Sequence, residues 1–350
     1  MKIAIVTQPL MSNYGGLLQN WALQQVLKRE FPDAEVITFD QTEWTMPLYI
    51  KSGIIVKRIF GLSKKPKPTS FDIFRLNNID STKKAETLHD FVKLDRQLKP
   101  DVYIVGSDQV WRPRMVNHID ANFLSFTKCK NKLAYAASFG VDFWEFSDHE
   151  TQICRDLAAD FKSISVREDS GCELCKKYLG VNAVQVLDPT LLLSSSDYDC
   201  LLSKDQLSNQ GSHVFTYILD TSPKKRAIVS QILEENHELA AAHDVNGNNI
   251  SLRITVEEWI AGIRNSKMVI CDSFHGVAFS IIYNKDFVVL ANEARGNTRI
   301  ESILNLFGLK GRLINSDADI LKLGPIDWHR VNSTRVSLSS KSLSFLHAAI

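Results

Sequence analysis

The sequence lacks the features of several large classes of protein. No apolar run reaches the length of about 20 residues that a membrane-spanning helix needs. The formal net charge is only +1, so no overall electrostatic field favours nucleic acid, and any anionic partner must be bound by a local cluster. No loop after a predicted strand has the GxGxxG spacing of a dinucleotide-binding motif.

The cysteines give no sign of a disulfide framework, because the six of them are scattered along the chain. Cys172 and Cys175 form a CxxC within "EDSGCELCKKYLG", a stretch that is typical of a helix. No second CxxC follows and no histidine pair flanks it, so neither a metal site nor a redox role is favoured. The start "MKIAIVTQPL" is too short for a signal peptide. We expect a cytoplasmic protein with reduced thiols, no metal and no other cofactor.

Short β-branched runs alternate with amphipathic helical stretches over most of the 350 residues. This alternation predicts parallel sheets covered on both faces, and the length favours two domains. We therefore predict an α/β protein with two Rossmann-like domains. The predicted strands are 3–7, 35–39, 102–106, 132–138, 163–166, 183–187, 214–219, 240–245, 267–271, 287–291 and 312–315, and the predicted helices include 16–30, 150–161, 170–178, 223–236, 255–264 and 298–307.

Pro189 indicates where the two predicted domains join. It interrupts the pattern in "DPTLLLSSSDY" at residues 188–198, and the serines that follow can cap a new helix. We predict an amino-terminal domain over residues 1–187 and a carboxy-terminal domain over residues 188–330. The helical stretch at the end, within residues 331–350, is expected to cross back onto the first domain.

Residues 46–68 break the alternation of strands and helices. They mix apolar positions with the cations Lys51, Lys57, Arg58, Lys64, Lys65 and Lys67. One interpretation is a surface helix that ends in a proline-rich linker. The other is a patch that contacts anionic lipid head groups at the inner face of the membrane.

Candidate ligand contacts follow the predicted strands, because ligands of open parallel sheets bind beyond the carboxyl ends of strands. The loop after the first strand opens a helix, where backbone N–H groups can bind an anion. Arg167 lies between a strand and a helix, which suits a carboxylate or phosphate, but an ion pair with a neighbouring acid explains it equally well. The candidates in the first domain are Asn13, Tyr14, Gly15, Gly16, Gln19, Ser107, Asp108, Trp111 and Arg167.

His275 lies at a strand–helix junction in the second half of the chain. The strand "KMVIC" is followed by the capping residues Asp272 and Ser273, which places His275 in the first helical turn. A helix amino terminus disfavours the imidazolium, so we predict a neutral histidine that can take up a proton when an anion arrives. Gly276 lets a ligand or a neighbouring backbone approach closely.

Two arginines follow the next strand, within "NEARGNTRIESIL". Arg295 and Arg299 lie on the ligand side of the predicted sheet. Arg299 would open a helix, which is electrostatically unfavourable unless it faces an anion. We therefore expect Arg167, His275, Arg295 and Arg299 to converge on one anionic ligand between the domains.

An ordered set of motifs resembles the polysaccharide pyruvyl transferase family: "NYGGLLQNWALQ", "YIVGSDQVWRP", "YAASFG", "SISVREDS", "VLDPTLLL", "DSFHGVAFSIIYNKDFVVL" and "RGNTRIESILNLFGL". The resemblance extends from about residue 3 to residue 314 and rests on the order of the motifs. It implies a fold like that of the two-domain GT-B glycosyltransferases. It also implies phosphoenolpyruvate as donor and a pair of sugar hydroxyls as acceptor. The product would be a pyruvate ketal on a surface or capsular polysaccharide or its lipid-linked precursor.

One motif departs from the family pattern. Many relatives read Ser-Arg-Leu-His-Gly where this chain reads "DSFHG", in which Ser273 and His275 match. The arginine two residues before the histidine has no counterpart, because that position is Ser273 or Asp272 depending on the alignment. One expected contact to the donor carboxylate is therefore missing.

We expect the acceptor side in the first domain and the donor side in the second. His275, Asp108 and Arg167 are expected to be catalytic, with His275 as the group that takes or gives a proton and Asp108 as the second candidate for the base that activates the acceptor hydroxyl. The expected donor contacts are Arg167, Ser273, His275, Gly276, Arg295 and Arg299. The expected acceptor contacts are Asn13, Tyr14, Gly15, Gly16, Gln19, Ser107, Asp108 and Trp111. Two alternatives remain open on the same fold, a glycosyltransferase with a nucleotide-sugar donor and a non-catalytic glycan-binding protein.

Overall fold

Two parallel sheets, each with its own set of helices, make up the protein, which confirms the predicted α/β class with two Rossmann-like domains. The computed structural model describes residues 1–11, 13–41, 68–209, 211, 213–235, 240–246, 254–292, 296–314 and 323–350. The basic segment at residues 46–68, apart from its last residue, and Arg295 lie outside these described residues.

The strands form at the β-branched runs, where continuous apolar side chains are buried on both faces of a sheet. The strands of the first sheet are β1 (Lys2–Val6), β2 (Glu35–Phe39), β3 (Val102–Val105), β4 (Lys132–Ala137), β5 (Ser163–Val166) and β6 (Val184–Gln185). The strands of the second sheet are β7 (His213–Ile218), β8 (Ala240–Asn246), β9 (Met268–Cys271), β10 (Asp286–Leu290) and β11 (Leu313–Ile314).

The helices cover the sheets. Those before the second sheet are α1 (Tyr14–Glu30), α2 (Ser70–Asn78), α3 (Leu88–Leu98), α4 (Asp148–Ala158), α5 (Asp169–Leu174), α6 (Ser195–Asp199) and α7 (Lys204–Ser208). Those that follow are α8 (Pro223–Glu235), α9 (Val256–Asn265), α10 (Phe274–Ile282), α11 (Thr298–Phe307) and α12 (Trp328–Ala349). No helix in the described ranges is both long and apolar enough to cross a bilayer.

The strand order places a crevice in each sheet. The first sheet runs β2-β1-β3-β4-β5-β6 and the second runs β11-β10-β9-β7-β8. Connections therefore leave in opposite directions from β1 and β3, and likewise from β7 and β9. Ligands of such folds bind beyond the carboxyl ends of the strands at these points of reversal.

Three helices, α2, α3 and α7, were not among those predicted from the sequence. Each begins with a capping box, in which Thr69 pairs with Asp72, Thr87 with Asp90 and Ser203 with Gln206. A second difference concerns the CxxC, because a single π-helical turn from Cys175 to Leu179 continues α5. All six cysteines are free thiols.

The two domains pack directly on each other. Tyr14, at the start of α1, stacks on Trp259 of α9 with ring centroids 5.4 Å apart, and its hydroxyl donates to the Ile254 carbonyl over 2.8 Å. The long helix α12 then contacts the first domain, where Ser342 Oγ accepts from the Leu187 N–H at 3.0 Å. The predicted joint at residues 188–198 lies between the last strand of the first sheet and the first strand of the second.

Candidate active site

An arginine surrounded by carboxylates lies at the carboxyl end of the first sheet. Arg167 directly follows β5, and its side chain is 2% exposed. The guanidinium donates to Asp188 Oδ2 over 3.0 Å, to Asp108 Oδ1 over 3.4 Å and to Glu168 Oε1 over 3.3 Å. Its carbon lies 4.3 Å from the centre of the Phe274 ring, so the cluster reaches the second domain.

The charge of Arg167 is fixed by these neighbours. Burial alone would lower the pKa of the guanidinium, but the charges of Glu168, Asp108 and Asp188 outweigh it and raise the pKa above its ordinary value. Each of its three nitrogen atoms has a carboxylate partner. The ion pairing that the sequence left open for Arg167 is therefore present, and three of the five N–H groups of this guanidinium are already engaged.

Asp188 connects this cluster to neighbouring segments. Its Oδ2 also accepts from Ser107 Oγ at 3.0 Å, and its Oδ1 accepts from the N–H and the hydroxyl of Thr190 at 3.0 and 2.7 Å. Burial favours the neutral acid, yet attraction to a protonated His275 and to Arg167, with the Thr190 hydrogen bonds, lowers its pKa. Asp188 was not among the predicted site residues and stood only in the segment predicted to join the domains. A carboxylate directly after a strand pattern was the signal that could have identified it.

His275 lies beside the cluster in the first turn of α10, as predicted. Its Nε2 is 3.9 Å from Asp188 Oδ2, is buried and has no hydrogen-bond partner. Burial lowers the pKa of the His275 imidazole. The positive charges of Arg167 and Arg299 lower it further, and the negative charges of Asp188 and Asp108 oppose the shift only in part. A lowered pKa favours the neutral imidazole, which is the direction that the sequence predicted. Burial is its largest cause, where the sequence had pointed to the helix amino terminus.

Gly15 provides the space that the imidazole occupies. A Cβ atom added at this position would overlap the ring of His275, whereas one added to Gly16 would meet only Asn13, at 3.5 Å. The start of α1 in the first domain therefore lies directly against α10 of the second. His275 thus lies at the domain junction, with only 8% of the residue exposed.

Arg299 supplies a second cation at this junction, half-buried in the first turn of α11. Its Nε is buried without a hydrogen-bond partner, and no carboxylate among the described residues lies within ion-pair distance. Burial and the positive charge of Arg167 lower its pKa to about 10, while Asp108 and Glu168 oppose the shift. The guanidinium remains charged at neutral pH, so the junction contains a positive charge that no carboxylate of the described residues neutralises.

Ser273 and Gly276 have structural contacts in α10. Ser273 is the amino-terminal cap, and its Oγ accepts from the Gly276 N–H at 3.0 Å. A Cβ atom on Gly276 would lie 2.7 Å from Cys271 Cβ, so the glycine lets α10 pack closely on β9. Both residues flank His275, and their predicted contact with a donor stays a prediction.

Two of the predicted acceptor contacts near α1, Tyr14 and Gln19, are buried, and Asn13 is exposed. Asn13 caps the helix, its side chain accepting from the Gly16 N–H at 3.2 Å. Tyr14 is only 2% exposed within the aromatic cluster at the junction. Gln19 is fully buried and accepts from the Ser107 N–H at 3.1 Å. Tyr14 and Gln19 therefore present no surface to an acceptor in this arrangement, whereas Asn13 is exposed and its acceptor contact stays a prediction.

Trp111 lies in the interior instead of at the edge of a cleft. It is 0% exposed, stacks on Phe123 at 4.7 Å and donates from Nε1 to the Asn122 carbonyl over 3.1 Å. Its placement does not support the predicted acceptor contact. Ser107 is fully buried as well, whereas Asp108 retains 5% exposure next to Arg167.

Two open cavities among the described residues lie away from this cluster. One of about 690 Å³ is lined by Arg264, Lys267 and Lys285, and one of about 530 Å³ is lined by Lys28, Glu35 and Asp80. The side chains of Arg167, Asp188 and His275 are largely buried by comparison.

Comparisons with known proteins agree with this architecture. A family model described as polysaccharide pyruvyl transferase matches residues 13–294. No protein of curated function gives a significant match. A proposed UDP-N-acetylglucosamine 2-epimerase from Listeria monocytogenes is 12% identical, with 97% of this chain and 90% of that chain covered and a TM-score of 0.51. A UDP-GlcNAc 2-epimerase from Neisseria meningitidis is 11% identical, with 100% and 94% covered and a TM-score of 0.49. Identities this low concern the fold alone, which is a GT-B-like arrangement of two Rossmann-like domains.

The contact between Gly15 and His275 can be tested by stability. We expect Gly15→Ala to lower the free energy of unfolding by about 1–3 kcal/mol, because the methyl group overfills the space of the imidazole. Gly16→Ala in the same helical turn is the matched control and should change it by about 1 kcal/mol or less. Urea denaturation measures both.

A double-mutant cycle with His275→Ala identifies the cause of the loss. Removing the ring should restore most of the stability lost in Gly15→Ala, because the clash is then gone. Equal losses of stability in the two glycine variants would show that the imidazole does not lie against Gly15. A loss in Gly15→Ala that His275→Ala leaves unchanged would show the same.

Proposed function

Since the chain belongs to the polysaccharide pyruvyl transferase family, we propose that it moves pyruvate from phosphoenolpyruvate onto a sugar of a surface or capsular polysaccharide, or of its lipid-linked precursor. The product is a ketal, and phosphate is released. Family membership makes the protein a transferase with a role in polysaccharide pyruvylation. The donor and the kind of glycan are part of the proposal.

The observation that carries the proposal is the charge of Arg299, which has no carboxylate partner among the described residues, at the same junction as a neutral His275. Holding a half-buried cation without a partner is costly, and an anion that binds beside it removes this cost. Phosphoenolpyruvate carries a carboxylate and a phosphate, and arginine binds either with two parallel hydrogen bonds. Its small size also suits a junction that is nearly closed to solvent.

Donor binding changes the charge state of His275 in this proposal. The negative charges of phosphoenolpyruvate favour the imidazolium, and so they raise the pKa that burial had lowered. A histidine that is neutral before binding becomes an acid afterwards. Its Nε2 has no hydrogen-bond partner among the described residues and is free to serve the donor.

The proposed reaction balances without a cofactor. A proton is added to the methylene carbon of phosphoenolpyruvate while one acceptor hydroxyl bonds to the adjacent carbon. The second hydroxyl then displaces phosphate from that carbon and closes the ketal. One of the two hydroxyl protons replaces the proton given to the methylene group, and the other leaves with phosphate. His275 assists the departing phosphate as the acid, and Asp108 activates a hydroxyl as the base.

Arg167 takes a different role from the one that sequence position suggested. We propose that Arg299 is the direct anion contact, while Arg167 favours the ionised form of Asp188 and holds Asp108 and Asp188 in place beside His275. The support is that every nitrogen of Arg167 already has a carboxylate partner, whereas the Arg299 Nε has none. That no metal or other cofactor assists stays a prediction.

Phosphate release from phosphoenolpyruvate across a panel of lipid-linked saccharides tests the function. Release that depends on an acceptor supports pyruvyl transfer. Thermal protection by uridine or guanosine diphosphate, without phosphate release, would favour the glycosyltransferase alternative. Saccharide binding with neither effect would favour a non-catalytic glycan-binding protein.

Arg299→Ala should weaken the binding of phosphoenolpyruvate by about 10- to 100-fold, because a charge-assisted hydrogen bond contributes about 1.5–3 kcal/mol. Calorimetry with the donor alone measures this. Arg114→Ala is the control, because Arg114 is a 75% exposed arginine that pairs with Glu145. Unchanged affinity in Arg299→Ala would remove the assignment of this residue.

His275→Asn should fold with a melting temperature near that of the wild type and still bind phosphoenolpyruvate. Turnover should fall by at least about 100-fold, because a positioned acid contributes about 10²- to 10⁴-fold in rate. Melting curves and phosphate release measure the two effects. A variant that melts far below the wild type, yet has full specific activity in its folded fraction, would make His275 a structural residue.

Contact with the membrane is proposed for residues 46–68, which would bring the enzyme to a lipid-linked acceptor. The support is the mixture of apolar and basic side chains there. Flotation with anionic liposomes should be strong for the wild type and weaker when Lys57, Arg58, Lys64 and Lys65 are changed to Gln. Equal flotation of both proteins, or none of either, would remove the proposal.

A further inference from the structure

The crevice of the second sheet contains an aspartate. The reversal of strand order between β7 and β9 places this crevice at the carboxyl ends of those two strands. Asp272 is the first residue after β9, and its side chain is 0% exposed. The sequence had indicated only a helix-capping role for it.

The carboxylate of Asp272 accepts four hydrogen bonds. Its Oδ1 accepts from the backbone N–H of Leu219 at 2.6 Å. Its Oδ2 accepts from the N–H of Asp220 at 3.2 Å, from Lys225 Nζ at 2.6 Å and from Asn292 Nδ2 at 3.0 Å. The donors come from the turn after β7, from the first turn of α8 and from the segment after β10.

This set of donors is the kind that binds phosphate groups. Consecutive backbone N–H groups between a strand and a helix, together with a lysine in the first helical turn, are the usual ligands of a phosphate in Rossmann-like folds. Here a carboxylate of the same chain occupies the position of the anion. The 2.6 Å contact with Lys225, whose side chain is 12% exposed, completes a charge pair that is closed to solvent.

We infer that Asp272 is a specificity-determining residue that fills the phosphate crevice of the second domain and so excludes nucleotide diphosphates as donors. A diphosphate would bring its negative charge against the buried carboxylate and would find the four donors already engaged. The donor charge is then received at Arg299 and His275. This inference extends the proposed function by naming a residue that rejects the nucleotide-sugar class.

Variants that remove the carboxylate test the inference with inorganic pyrophosphate and uridine diphosphate as probes. In Asp272→Ala, Lys225 and the two N–H groups lose their anion, so each probe should raise the melting temperature by about 3 °C or more at millimolar concentration. The wild type should shift by less than about 1 °C with either probe. Adding Lys225→Met to Asp272→Ala should abolish the gain, because the lysine is the cation of the crevice.

A purely structural role for Asp272 has a different outcome. It predicts a lower melting temperature in Asp272→Ala that neither probe restores, and this result would overturn the inference. If Asp272→Ala does not fold, Asp272→Ser retains an acceptor for one N–H and is tested in its place.

A comparison of the wild type with Lys225→Met also tests whether the crevice excludes diphosphates. Binding of uridine diphosphate to the wild type that Lys225→Met removes would overturn the inference, whatever the variants of Asp272 do. Absence of phosphate release from phosphoenolpyruvate would contradict the proposed function but not the exclusion of diphosphates. The two claims therefore fail separately.

Discussion

The Asp188 carboxylate accepts hydrogen bonds from Arg167, Ser107 and Thr190, and the geometry of the domain junction depends on it. Ser107 follows β3 and Arg167 follows β5, so one buried carboxylate fixes the ends of two strands of the first sheet. The same oxygen that receives Arg167 lies 3.9 Å from His275 of the second domain. Removal of this carboxylate would leave the buried charge of Arg167 with one partner fewer. The free-energy cost of such a poorly paired charge exceeds the stability that the ion pair itself contributes.

The electrostatics of the junction follow from burial. Arg167 contacts three carboxylates, Arg299 contacts none of those in the described part of the chain, and the lowered pKa of His275 favours its neutral form. The second domain shows the opposite solution at Asp272, where the positive and polar donors of a crevice are matched by a carboxylate of the chain itself. The crevice of the second sheet is thus neutralised by a carboxylate of the chain, whereas in our proposal the domain junction binds an external anion.

Much of the fold could be predicted from the sequence, because each buried parallel strand is a local apolar run and each strand–helix junction is a local change of period. His275 and Arg299 were placed in first helical turns by this reasoning alone. The contact of His275 with Gly15 could not be predicted, since it joins residues far apart in the chain. Trp111 was misread because an aromatic residue after a strand has the same sequence pattern whether it faces a ligand or the core. Whether Arg167 binds a ligand or pairs with a neighbouring acid was left open, because an arginine after a strand has the same sequence pattern in both cases.

The protonation state of His275 with and without phosphoenolpyruvate tests the central claim most directly. Nitrogen-15 spectra of the nine histidines, with His275 assigned by its loss in His275→Asn, report the charge of the ring at neutral pH. The account predicts a neutral His275 in the free protein and an imidazolium when phosphoenolpyruvate is bound. A ring that is charged before the donor is added, or that remains neutral at saturating donor, would contradict it.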